Sequence, residues 1–139
     1  MDAPQRLVTS VEHSEENDQD VDPRRRMSVS ALHELELSSG RRVVLLDDRG
    51  WTSEAMGPRA DVWAHTTVDS VVNHARMVVG PDEPADGCTQ EQAAADHWAH
   101  LSARAREHGV AVAPEALAAL PHDVDVSEDL RARLGRSDA

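Results

Sequence analysis

The run Val29-Ser30-Ala31-Leu32-His33-Glu34-Leu35-Glu36-Leu37, then Ser38-Ser39-Gly40, then Arg41-Arg42-Val43-Val44-Leu45-Leu46-Asp47, decides the fold class. Val29, Ala31, His33, Leu35 and Leu37 alternate with Ser30, Leu32, Glu34 and Glu36, a period of two that marks a strand with one buried face. A three-residue loop ending in glycine fits a type I turn followed by a bulge, with Gly40 in the left-handed region. That register sets Glu36 opposite Arg42, an attractive cross-strand pair, Leu35 opposite Val43, and His33 opposite Leu45. The second run is apolar on both faces and reads as a central strand.

Outward from this hairpin the pattern changes. Asp47-Asp48-Arg49-Gly50 reads as a turn, Met56 to Arg59 as loop, and Asp61 to Thr66 as a third strand. Helical spacing then takes over. Thr67 is an N-cap with Asp69 in the first turn, where the helix dipole favours an acid. Val68, Val71, Val72, Ala75 and Val79 form an apolar stripe that Gly80-Pro81 stops. Thr89 caps a longer helix with Gln92 at the capping-box position. Its stripe is Ala94, Trp98, Leu101 and Ala105, and Gly109 ends it. Pro114 begins a short helix closed by Pro121, and Ser127 caps a last turn or two. The expected fold is α+β: a small antiparallel sheet, made of the hairpin and the third strand, with three to four helices on one face.

Residues 1–22 hold seven acids against Arg6, and Ser14 to Asp20 has no apolar residue. A segment that buries so little cannot offset its ordering entropy. The expectation is a disordered acidic tail over 1–26 and one α+β domain over 27–139.

Composition sets further bounds. The 139 residues contain no Phe and no Tyr, and all 14 basic residues are Arg. Without Lys there is neither a P-loop nor a Schiff-base enzyme, and without Tyr there is no phenolic acid or base. The bias toward residues with GC-rich codons points to a high-GC bacterial genome. No apolar run approaches the ~18 residues of a membrane span. The net charge of −12 argues against a nucleic-acid partner and favours a basic protein. A start without a basic and apolar leader, together with the lone Cys88, sets the expected location in a reducing cytoplasm.

Four runs carry a resemblance: Leu45-Leu46-Asp47-Asp48-Arg49-Gly50-Trp51, Val78-Val79-Gly80-Pro81-Asp82-Glu83-Pro84, Ala95-Asp96-His97-Trp98-Ala99-His100-Leu101 and Leu120-Pro121-His122-Asp123-Val124. They resemble small uncharacterised proteins of streptomycete-type actinobacteria. The likeness spans roughly residues 28–136 and implies that this stretch is one unit. It implies no activity, cofactor or site residue.

Two functions fit these residues. The first is a non-enzymatic, acidic binding protein for a protein partner, of the regulatory, antitoxin or immunity type, or an accessory subunit. A homodimer is compatible with it. Its contact residues are expected on the acidic loop at Asp82, Glu83 and Asp86, because loops held between helix ends commonly present function. The second is a small metal-dependent enzyme or metal sensor. His97 and His100 stand at i, i+3 on a helix, about 60° apart, a spacing that can chelate one zinc ion, with Asp96, His122 or Asp123 as further ligands. The loop at Asp82 lacks the acid at position twelve of a calcium-binding EF-hand. No Gly-x-Ser-x-Gly elbow supplies a nucleophile, and no catalytic residue is assigned. The three tryptophans read as the core's aromatics.

Overall fold

Residues 3–14, 25–55, 57, 61–81 and 87–134 are described by the computed structural model. The hairpin at its centre pairs β2, Arg26–Leu37, with β3, Arg42–Glu54. Gly40 has φ 92° and closes the turn by donating to the Leu37 carbonyl at 2.9 Å. Glu36 faces Arg42 and Leu35 faces Val43, as the turn chemistry requires.

One step further the register slips. His33 pairs with Leu46 rather than with Leu45, and irregularities flank His33 on both sides. A bulge lets consecutive side chains turn to one face, and both Leu45 and Leu46 are buried there. The bulge also carries β3 straight through Asp47-Asp48-Arg49-Gly50, where a turn was expected. Gly50 is required by close approach, since a Cβ there would stand 2.4 Å from the Val29 carbonyl oxygen.

The expected tail is overturned at its core. Residues Pro4–His13 form β1, an interior strand, and the sheet order is β3-β2-β1-β4. The reason lies in the distribution of charge. Of the seven acids counted over 1–22, only Glu12 lies within the strand, while Leu7, Val8 and Val11 are buried. Residues 15–24 of the expected tail lie outside the described residues.

After β3 come α1, Val68–Val78, α2, Gln90–Glu107, and α3, Pro114–Ala118. Thr67 and Thr89 each form a full capping box, with Ser70 and Gln92 as the returning side chains. Asp61 to Thr66 is not a strand: Asp61 Oδ1 accepts from the Trp63 backbone at 3.0 Å, and the Thr66 hydroxyl donates to the Val62 carbonyl at 2.6 Å. These local bonds wind the segment into turns. The fourth strand is instead β4, His122–Val126, which runs parallel to β1, so the sheet is mixed rather than antiparallel. Ser127 then caps α4, Glu128–Arg133.

The fold class is α+β, with the helices on one face of the sheet. Val71, Ala75, Leu101, Ala105, Leu117 and Leu130 share one core cluster with Leu7, Val11, Val29, Ala31, Leu35, Leu37, Val43 and Leu45. The alternate strand positions Arg6, Val8, Ser10, Ser30, Leu32, Glu34 and Glu36 lie outside that cluster, on the outer face. Trp98 is half-buried against the core rather than at its centre, while its neighbour His97 is buried. No helix among the described residues is long and apolar enough to cross a membrane.

Candidate functional site

The outer face has two ends of different character. At one end a ribbon of charge crosses all four strands. Arg42 of β3 pairs with Glu36 at 3.3 Å and approaches Glu34 at 3.8 Å; Glu36 also pairs with Arg6 of β1, and Arg6 reaches Asp123 of β4 at 2.7 Å. Hydrogen bonds from Arg6 hold the Glu36 carboxyl below the usual carboxylate range, and the same bond raises Arg6. These acids are spoken for.

At the other end lies a groove of about 430 Å³. Glu12, Asp47 and Asp125 line it with the hydroxyl-bearing Ser10, Ser30 and Ser127, and Leu32 is the apolar side chain that the outer face adds. The strands place these residues by simple registry: Glu12 faces Ser30, Ser10 faces Leu32, and Ser10 faces Asp125 on its other side. Asp47 arrives on the outer side because of the bulge in β3. Among the described residues no basic one lines the groove, and none pairs with Glu12, Asp47 or Asp125. Three carboxylates and three hydroxyls around Leu32 suit an arginine or lysine side chain, whose stem packs while its head pairs.

The inner face holds a second polar group, under the helices. Thr9 is 0% exposed and His33 is 1% exposed. Thr9 Oγ1 lies 2.9 Å from His33 Nδ1 and 2.6 Å from His122 Nε2, and the two rings meet edge to face at 5.2 Å. Burial pushes His33 down to about 3, helped by the positive potential of His122, His97 and Arg49. Burial, then Arg76, lowers His122, against a smaller opposing pull from Asp123. The Thr9 hydroxyl has no route to a substrate, so this cluster is no nucleophile site.

The residues singled out from sequence divide. Asp82, Glu83 and Asp86 lie outside the described residues. His97 turns inward and packs edge to face on Trp98 at 4.9 Å, and His122 starts β4 beneath the helices. Asp96 and His100 are exposed on the far side of α2. The core thus draws His97 in and leaves His100 in water. Among the described residues no three His, Cys, Asp or Glu side chains gather to hold a metal ion. Thr9, His33, Glu12, Asp47 and Asp125 were missed as site residues. For His33 the signal was present, an imidazole on the apolar side of an alternating strand. For Glu12 and Asp47 it was hidden, since both fell in segments read as tail and turn. Comparison of the chain with protein-family models, curated proteins and solved structures finds no match.

Proposed function

We propose that this chain is a non-enzymatic binding protein that docks a protein partner with a basic surface onto the outer face of its sheet. The observation that carries this reading is the groove of Glu12, Asp47 and Asp125, whose carboxylates have no basic partner among the described residues, while those at the other end of the same face are paired. A net charge of −12 adds long-range attraction toward such a partner and against a phosphate backbone. Its single cysteine supports a reducing cytoplasm as the place of that encounter.

The test starts from a basic partner captured from the source cells and purified. The association rate is measured at low and high salt for the wild type and for the triple variant Glu12→Gln, Asp47→Asn, Asp125→Asn. The expected result is a wild-type rate that falls with salt and a variant with a slower rate and a flatter salt slope. An unchanged rate and slope overturn the role of the groove. The same measurement with Asp82, Glu83 and Asp86 neutralised decides whether the acidic loop shares the interface.

A further inference from the structure

We propose that the basic partner adds an extended segment as a fifth strand along the free edge of β3 over residues 50–54, and lays an arginine or lysine side chain across Gly50 toward Ser30 and Asp47, a mode of docking that rests on the binding role above. β3 ends the sheet on one side, and its register with β2 is regular from Arg26 and Glu54 to Ala31 and Arg49. In such an antiparallel pair, residues alternate between exchanging hydrogen bonds with the neighbour and pointing them away. The Ala55 amide donates to the Arg25 carbonyl at 2.8 Å, which sets the phase. Ser28, which faces Thr52, turns its carbonyl to β1 instead and accepts from the Ser14 amide at 2.9 Å. By alternation the N–H and C=O groups of Gly50, Thr52 and Glu54 point off the sheet. Among the described residues no hydrogen bond meets them there. Arg104 closes only the other half of β3, at the Leu45 carbonyl. A row of open main-chain groups is a template for a further strand.

The side chains beside that edge select the occupant. Asp48, Gly50, Thr52 and Glu54 are exposed, while Arg49, Trp51 and Ser53 between them are half-buried. A hollow of about 360 Å³ opens over Gly50, lined by Asp48, Thr52, Ser14, Ser28 and Ser30. It meets the acidic groove at Ser30, which lines both. Gly50 faces Ser30 across the ladder and places no side chain between Ser30 and the edge. A long side chain opposite Gly50 on the added strand crosses one strand spacing of ~4.8 Å to lie over it. Its cationic head then meets Asp47, the acid that β3 gives to the groove, and Asp48, whose side chain is 81% exposed, stands next to it. The edge is already ordered: the Thr52 and Ser28 hydroxyls lie 3.1 Å apart, and Trp51 stacks on His74 of α1 at 4.5 Å. A second copy of this chain fits less well, because it brings its own Asp48 and Glu54 to the seam and a second net charge of −12.

The test uses two probes on the full chain at ~0.1 M salt: a capped peptide that alternates arginine and threonine, and the same peptide N-methylated at its arginine amides. Residues opposite Gly50 and Thr52 share their face and exchange their hydrogen bonds, so the arginines take those places, and methylation removes the donors while keeping the charge. The methylated peptide is expected to bind about tenfold or more weakly, through the loss of several main-chain hydrogen bonds. In the complex with the unmodified peptide, the Gly50 and Thr52 amides are expected to gain protection from hydrogen exchange. The Leu37 amide, which donates to the Arg41 carbonyl in the hairpin turn, is expected to stay level. Thr52→Pro removes one N–H that points off the sheet, at a place where an edge strand tolerates proline, and is expected to weaken the unmodified peptide. Thr52→Val loses only the hydroxyl and is expected to bind like wild type. Equal binding of the two peptides, or no gain of protection at Gly50 and Thr52, overturns the added strand and leaves the acidic face as a docking surface. Binding of neither peptide contradicts that surface and the added strand together. Should Thr52→Pro not fold, the two peptides on the wild type still decide.

Discussion

Thr9 spans two imidazoles at full burial, so its hydroxyl matters more than its methyl group. Thr9→Val keeps the shape and leaves His33 Nδ1 and His122 Nε2 without their shared partner. Unsatisfied buried groups cost about 1–3 kcal/mol each, so the expected loss is in that range, with Thr9→Ser milder. Urea midpoints of the three chains check this. His33 adds a pH dependence whose sign follows from its direction of shift. Its folded-state value is lowered to about 3 from 6.5, so the unfolded chain binds a proton that the folded chain refuses. Its stabilising contribution is complete above pH 6.5 and drains away as pH falls toward 3. Each unit below ~6 is expected to remove about 1.4 kcal/mol. Unfolding free energies at several pH values between 7 and 5 for wild type and His33→Gln test it, and parallel profiles would assign the dependence elsewhere.

At the scale of elements, β1 is the strand on which the sheet depends. It pairs with β2 on one side and β4 on the other. Leu7→Ala is expected to cost about 2–5 kcal/mol, as for buried leucines generally. Deleting residues 1–14 is expected to abolish cooperative unfolding, because β4 loses the strand it pairs with. A truncated chain that melts sharply would contradict the strand order. The two edge strands are guarded by arginine. Arg76 donates to the His122 carbonyl, Arg131 to the Val126 carbonyl at 3.1 Å, and Arg104 to the Leu45 carbonyl at 3.3 Å. Each comes from a different helix, and each occupies an acceptor that another strand would seek. Arg76→Ala combined with Arg131→Ala is expected to promote self-association, seen as a concentration-dependent rise in sedimentation coefficient.

At the scale of the molecule, local chemistry was legible and long-range pairing was not. The turn at Gly40, the Glu36 and Arg42 pair, the caps at Thr67, Thr89 and Ser127, and Pro114 at the start of α3 are all short-range, and each stands in the sequence as residue and spacing. β1 was obscured because a charge count over 1–22 mixed an apolar strand with the acidic run after it. β4 alternates perfectly, His122, Val124 and Val126 inward against Asp123 and Asp125 outward, yet five residues after a proline carry little weight until β1 exists to receive them. The bulge that buries Leu46 and turns Asp47 outward leaves no mark in a period-two pattern. His97 and His122 drew notice as ligands, and the fold uses both differently, beside His33.

The proposed binding surface is the outer face of the sheet. An exchange footprint of the complex with the basic partner tests it most directly. New protection is expected at Ser10, Ser30, Leu32 and Asp125, on the strands that form the groove, and none at Asp96 or His100 on the outer side of α2. Protection confined to the helical side, with the groove residues unchanged, would contradict it.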